Sequence, residues 1–214
     1  RFPDYILPDK RAFEHAVYFS DEIKLAEKII LKAGVRLALF RNTGPGTSYR
    51  YDDNYLPVDS IKYERGDVFN TYFRPEPRLA FIFPVNEQSS VKGSFSRTVQ
   101  FLMLAQNSTA GTPLDIWFPA SPVVKPQISD QAAFGFFRNS ADGRFEFSAE
   151  AYYKIFRQVT DFKDHAWLIL NKYLEGELRF GKGNAFGIET MVRKNEGHLT
   201  GWISYTWARS FRKI

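Results

Sequence analysis

Cysteine is absent from this 214-residue chain, which excludes a disulfide framework and any thiolate metal site. Histidine is almost absent: His15, His165 and His198 lie far apart. His198 is expected in a short turn and His165 in a long loop, at opposite ends of a strand array. A shared metal centre is therefore not expected, since catalytic zinc takes three protein ligands, and neither is a catalytic triad. No Gly-x-Ser-x-Gly elbow occurs. No run approaches the roughly 18 apolar residues that a membrane-spanning helix needs. A basic tract is lacking too. The 29 Lys and Arg residues are dispersed among 24 acidic ones, for a net charge of +5. That mixture suits a solvated surface or lumen, and no nucleic-acid partner is expected. The chain has no starting Met and no signal peptide, and it stops at Arg212-Lys213-Ile214 just after a strand-like run. Both ends read as cut from a longer protein.

Aromatic residues are abundant, at 17%, with 21 Phe and 11 Tyr. Such a bias suits strands and membrane-interface belts. The most regular stretch is Gly143 to Phe156. Phe145, Phe147, Ala149, Ala151, Tyr153 and Ile155 alternate there with Arg144, Glu146, Ser148, Glu150, Tyr152 and Lys154. Successive strand side chains point to opposite faces, so this is a strand with one apolar and one charged face. It exceeds the usual strand of about 5–6 residues and can cross a bilayer, which takes roughly 9–11 tilted residues. A soluble sheet with one wet face shows the same alternation.

Strands are expected at Phe13 to Ser20, Lys28 to Arg41, Thr71 to Phe83, Ser89 to Leu102, Ser129 to Arg138, the Gly143 stretch, Glu177 to Lys194 and Leu199 to Phe211. In Ser20 to Ala33, Ile23, Ala26, Ile30 and Ala33 fall at helical spacing with Ser20 as a possible N-cap. The alternation of Leu31, Ala33, Val35, Leu37 and Leu39 overrides that pattern, with a turn near Asp21 to Glu27. Short turns near 24, 86, 141 and 196 alternate with long connections near 56, 115 and 167. The turn at Asn139 to Gly143 carries a strong Asp-Gly hairpin signal. Short turns on one side and long loops on the other are the rule in transmembrane barrels. The expected fold is all-β: an antiparallel transmembrane β-barrel segment of about eight strands.

Several constellations invite chemistry and have simpler explanations. Gly181-Lys182-Gly183-Asn184-Ala185-Phe186-Gly187 is one residue off the dinucleotide fingerprint, but no helix follows it, so it fits a flexible strand opening. Glu146 and Glu150, mixed with Arg144 and Lys154, fit a hydrated lumen wall better than an acid–base pair. Asp52-Asp53-Asn54 offers oxygen ligands for calcium, or an Asx-rich turn. The connection from Met103 to Ile128 is the best candidate for a ligand loop. Its four prolines limit its freedom. Trp117 and Phe118 offer flat apolar faces, and Asn107 and Asp115 polar partners. The alternative is that Trp117 and Phe118 only pin the loop.

An ordered series of landmarks resembles the β-barrel region of TonB-dependent outer-membrane receptors of the Bacteroidetes type. Ala33-Gly34-Val35-Arg36-Leu37 resembles the family's Gly-x-Arg strand, and Glu76-Pro77-Arg78-Leu79-Ala80 its Pro-Arg strand opening. Ser94-Phe95-Ser96-Arg97-Thr98 resembles the Tyr-Ser-Arg strand ending. Lys125-Pro126-Gln127 with Gly135-Phe136-Phe137, Gly183-Asn184-Ala185-Phe186-Gly187-Ile188-Glu189 and Gly201-Trp202-Ile203-Ser204-Tyr205-Thr206 follow in the family's order. The resemblance implies that residues 1–214 are part of one barrel domain, incomplete at both ends, of a bacterial outer-membrane transporter. It implies active uptake of a siderophore, vitamin, oligosaccharide or peptide, with energy relayed by TonB through an N-terminal region not in this chain. Membrane lipid would surround the barrel, and a SusD-like lipoprotein is a candidate lid. No cofactor, metal or covalent chemistry is implied, so the protein is not expected to be an enzyme. A passive porin-like barrel and a soluble carbohydrate-binding β domain remain the rival explanations.

Overall fold

The computed structural model describes residues 10–25, 28–105, 116–167 and 171–214. Its main sheet is antiparallel and has eight strands. In spatial order they are β1 (Arg11–Leu25), β2 (Ile29–Thr43), β5 (Val68–Pro84), β6 (Ser89–Gln100), β9 (Gln127–Asn139), β10 (Phe145–Phe162), β11 (Leu178–Lys194) and β12 (Gly201–Lys213). Two further hairpins stand apart: β3 (Gly46–Tyr51) with β4 (Pro57–Tyr63), and β7 (Leu102–Ala105) with β8 (Ile116–Pro119). β1 and β12 are the sheet's open edges. Among the described residues no helix is long and apolar enough to cross a membrane.

The register explains the alternation. In β10, Phe147 lies opposite Arg138 and Val192, and the next residue, Ser148, opposite Phe137 and Met191. One face therefore collects Leu39, Phe73, Leu79, Phe95, Phe134, Ile155 and Ile188. The other collects Arg36, Glu76, Lys92, Glu150, Lys154 and Glu189. In a water-soluble sheet the apolar face would be covered. Here it is open, even on strands flanked on both sides: Phe73 is 55% exposed, Phe134 57% and Ile188 50%. Burial of a large apolar side chain is worth about 1.5–3 kcal/mol, so a face this size does not rest in water.

The structure departs from the sequence pattern chiefly in three places. β1 runs on to Leu25 where a turn was expected from Asp21, because Ile23 and Leu25 extend the ladder against Leu31 and Ile29. Leu25 and Ile29 are both strand residues, so the helical spacing in that stretch gives way to pairing. β10 runs to Phe162 past a bulge between Arg157 and Val159, with Gln158 at φ 57. The connection from Asn42 to Asn70 is not open loop; most of it is the β3–β4 hairpin.

The sheet also splits. β5 pairs with β6 only from Arg78–Ser96 to Pro84–Ser90. Toward the loops, β5 stays with β2 and β6 with β9. Pro75 and Pro77 lie just beyond the last β5–β6 pair, and proline has no N–H to donate to a ladder. The Pro-Arg landmark thus marks where the two strands part, not where β5 begins.

Candidate functional site

At the loop end of the polar face, connections fold back over the sheet and build a compact cap. Its core is Ala38 and Phe40 of β2, Phe101, Met103, Phe118, Ala120, Val124, Leu174 and Leu178. Phe40 stacks on Phe101 with ring centroids 4.9 Å apart, within the favourable range for aromatic pairs. Residues 119–124 cross the split between β5 and β6 and are fixed by side chains from both β2 and β5. Asn42 Nδ2 donates to the Ala120 carbonyl at 2.9 Å, and Tyr72 Oη to the Ser121 carbonyl at 2.7 Å. Asn70 Nδ2 donates to Asn42 Oδ1 at 2.7 Å, and the Ala120 N–H to the Phe101 carbonyl at 2.6 Å. Asn42 is buried, and a buried amide left unpaired is costly, so these bonds determine where the segment lies.

The β3–β4 hairpin joins the cap through a short 3-10 turn at Leu174–Glu177. Tyr49 meets Tyr173 edge to face at 4.9 Å, and the Arg179 guanidinium lies 3.7 Å above the Tyr55 ring. Gly176 is needed for close approach: a Cβ there would come within 2.7 Å of the Tyr55 carbonyl and 2.8 Å of Tyr51 Cε1. Glu175 is buried and pairs with Lys10 at 2.6 Å. Burial, with Glu175 nearby, pushes the Tyr51 phenol above its ordinary range. A cavity of only about 30 Å³ remains beside Asn42, Ser121 and Glu175, room for water at most.

Lower on the sheet, a trough of about 510 Å³ runs over the small residues Ser20, Gly34, Ala80 and Ser94 and is flanked by Lys32, Arg36 and Arg78. Arg36 is held between Glu14 at 2.8 Å and the buried Glu76 at 2.6 Å. The trough has the size of a small-molecule cleft, with a mainly apolar lining and cations along its edge.

Of the four residues singled out in the Met103 to Ile128 connection, two are placed. Trp117 is 60% exposed and Phe118 only 2%. They are neighbours on β8 and point to opposite sides, so Phe118 is spent on the core while Trp117 is presented outward. Asn107 and Asp115 lie outside the described residues. Asp52 accepts the N–H groups of Asn54 at 2.9 Å and Leu56 at 2.8 Å, the geometry of an Asx turn. Gly181 to Gly187 lies inside β11. His198 lies in the β11–β12 turn and His165 in the connection after β10, at opposite ends of the strands. Among the described residues no three His, Asp or Glu gather as a metal site. The sequence did not reveal Asn42, Tyr72 and Glu175 as cap-forming residues; their partners are 78, 49 and 165 positions away.

A family model described as TonB dependent receptor-like, beta-barrel, matches residues 2–213. No curated protein matches the sequence. Among solved structures, the FrpB iron transporter from Neisseria meningitidis (F3-3 variant) superposes with a TM-score of 0.63 at 13% identity, over 97% of this chain and 27% of its own. The ferric-catecholate import receptor Fiu from K12 E. coli gives 0.60 at 15%, over 97% and 29%. The copper transporter OprC gives 0.59 at 13%, over 94% and 30%. The chain therefore spans under a third of the length of these structures.

Proposed function

Because the chain belongs to the TonB-dependent receptor-like β-barrel family, we propose that it forms a section of barrel wall and the loop-side cap of an outer-membrane nutrient importer. The carrying observation is the inverted sheet: an open apolar face outside, and a charged face inside that is roofed at its loop end. Such a wall needs lipid on one side and a hydrated lumen on the other. A soluble carbohydrate-binding domain would have to leave the apolar face bare. The whole receptor would be worked by TonB acting through a region outside this chain. The structural neighbours are an iron transporter, a ferric-catecholate import receptor and a copper transporter, so a metal chelate is the first cargo to assay, ahead of vitamins, oligosaccharides and peptides.

Within the cap, the segment around Trp117 is the proposed contact with cargo, with Asn107 and Asp115 as polar partners. Phe118, locked below, gives Trp117 a rigid base, and preorganisation lowers the entropy lost on binding. A SusD-like lipoprotein would seat on the same surface. The test is Trp117→Ala in the full-length receptor. Uptake should fall about tenfold, the scale of one aromatic anchor, while barrel level and heat-modifiable mobility stay unchanged. Uptake that persists, or loss of the barrel itself, rejects the contact role of Trp117.

A further inference from the structure

The outward face is mostly apolar; Asp21, Arg138 and Lys194 stand at its turn end and Arg209 lies partway up β12, while a denser row of charge lies near its loop end. Arg97 of β6 lies directly across from Asp130 of β9, and Asp130 across from Ile155 of β10, which places all three on the face of Phe95 and Phe134. Arg97 grips the Asp130 carboxylate with Nε at 2.6 Å and Nη2 at 3.1 Å, and Arg157 Nη2 reaches the same carboxylate. The row continues across the neighbouring strands. Arg157 is opposite Lys182 of β11, and Lys182 is opposite Lys213 of β12. Five side chains on five adjacent strands thus bring four cations and one anion together, Arg157, Lys182 and Lys213 standing two residues nearer the loops than Arg97 and Asp130.

Like charges directly opposite each other in a sheet repel. Among the described residues neither Lys182 nor Lys213 has an acidic partner. Asp130 is also poorly placed to help them, since its side chain is 12% exposed and engaged by both arginines, which are 33% and 41% exposed. Each guanidinium has five N–H donors, and the carboxylate uses two from Arg97 and one from Arg157. The row is therefore short of negative charge and rich in donors. Its level is also telling. From Arg97 to Ser89, opposite Arg138 at the turn end, is eight residues, roughly 26 Å of strand at about 3.3 Å per residue. At the roughly 35–45° tilt of barrel strands that length rises about 20 Å, most of the ~25 Å apolar band of an outer-membrane barrel. The row, with Arg157, Lys182 and Lys213 two residues nearer the loops, then lies toward the outer edge of that band, close to the headgroups.

We propose that Arg97, Arg157, Lys182 and Lys213 form a site for the phosphates of an outer-leaflet lipid headgroup on the outside of the barrel, with Asp130 as the resident anion that a phosphate competes with for the two arginines. Guanidinium and phosphate match in geometry and charge, and several cations in a row suit a headgroup with more than one phosphate. The site rests on the outward face being lipid-facing.

The test mixes detergent-purified full-length receptor with diphosphoryl lipid A and counts bound lipid by native mass spectrometry. Arg157→Gln with Lys182→Gln should lower retention about tenfold, the scale of a lost charge-assisted contact. Arg193→Gln, on the opposite face beside Glu146, should leave it unchanged. Asp130→Asn removes the anion that competes for both arginines, so retention should rise; a purely structural ion cluster would not behave so. Unchanged retention in the double variant, or a fall in Asp130→Asn, overturns the site. Equal displacement by inorganic phosphate would assign the row to free phosphate and also overturn it. Should the double variant not assemble, wild-type receptor decides: equal retention of diphosphoryl and fully dephosphorylated lipid is contrary to the proposal. Failure of the wild-type receptor to show a heat-modifiable barrel band would instead defeat the membrane reading beneath it.

Discussion

The wall and the cap of this chain are stabilised in opposite ways. In the wall, the large apolar side chains point out and stay open: Phe134 and Ile188 are half or more exposed. In the cap, Phe40, Phe101 and Phe118 are buried within 4% exposure and hold one another as in a soluble domain. The same residue type does two jobs, and its surroundings decide which. The wall leaves its apolar face uncovered by this chain, whereas the cap carries its own core. Damage to the cap should leave the barrel standing, and damage to the wall should prevent assembly.

The largest effect is expected in the cap. Phe40→Ala removes a stacked, buried ring, at a cost of about 3–5 kcal/mol. Loop-side protease cleavage should become rapid, while membrane fractionation and barrel mobility persist. Loss of the barrel would mean that wall and cap are one cooperative unit.

In the wall, Phe134 sits midway between the Asp130 and Arg138 levels of β9. Phe134→Arg at that depth should cost about 2–4 kcal/mol and cut assembled barrel sharply. Ser94→Arg, exposed on the polar face, should be mild. Equal assembly of the two variants would erase the distinction between faces.

Asn42→Ala tests the seam between them. It leaves the Ala120 carbonyl and the Asn70 amide without this partner, at about 1–3 kcal/mol. Hydrogen exchange in residues 119–124 should rise with no change at β10.

The smallest effect concerns the hairpin of the cap. Burial raises the Tyr51 phenol above the usual value near 10, so its contribution to stability is complete below about pH 10 and is lost as pH rises through the folded-state value. Absorbance at 295 nm should show a late-ionising component that Tyr51→Phe diminishes. An unchanged curve would place Tyr51 in water.

Much of the wall was legible because strand alternation and turn chemistry are local. Phe145 to Ile155 gave its two faces, and Asp142-Gly143 its turn, where Gly143 takes φ 72. Even the misleading helical spacing in Ser20 to Ala33 yielded to the period of the next strand. The cap was largely illegible. Its hairpin strands are six and seven residues long, too short to stand out among Gly, Asp and Tyr. Trp117 and Phe118 look alike in sequence, and only the packing of β8 separates a buried ring from an exposed one. The Arg97–Asp130–Arg157 cluster needs the register of three strands, which no single stretch contains.

The central claim is that the apolar face meets lipid and the charged face does not. The chain has no cysteine, so single sites can be labelled in a full-length receptor freed of any others. Spin labels introduced by Phe134→Cys, Ile155→Cys and Ile188→Cys should be relaxed by oxygen and shielded from a water-soluble nickel chelate in bilayers. Labels introduced by Ser148→Cys and Lys154→Cys should show the reverse order of accessibility. Equal exposure of both sets to the nickel chelate would contradict the account.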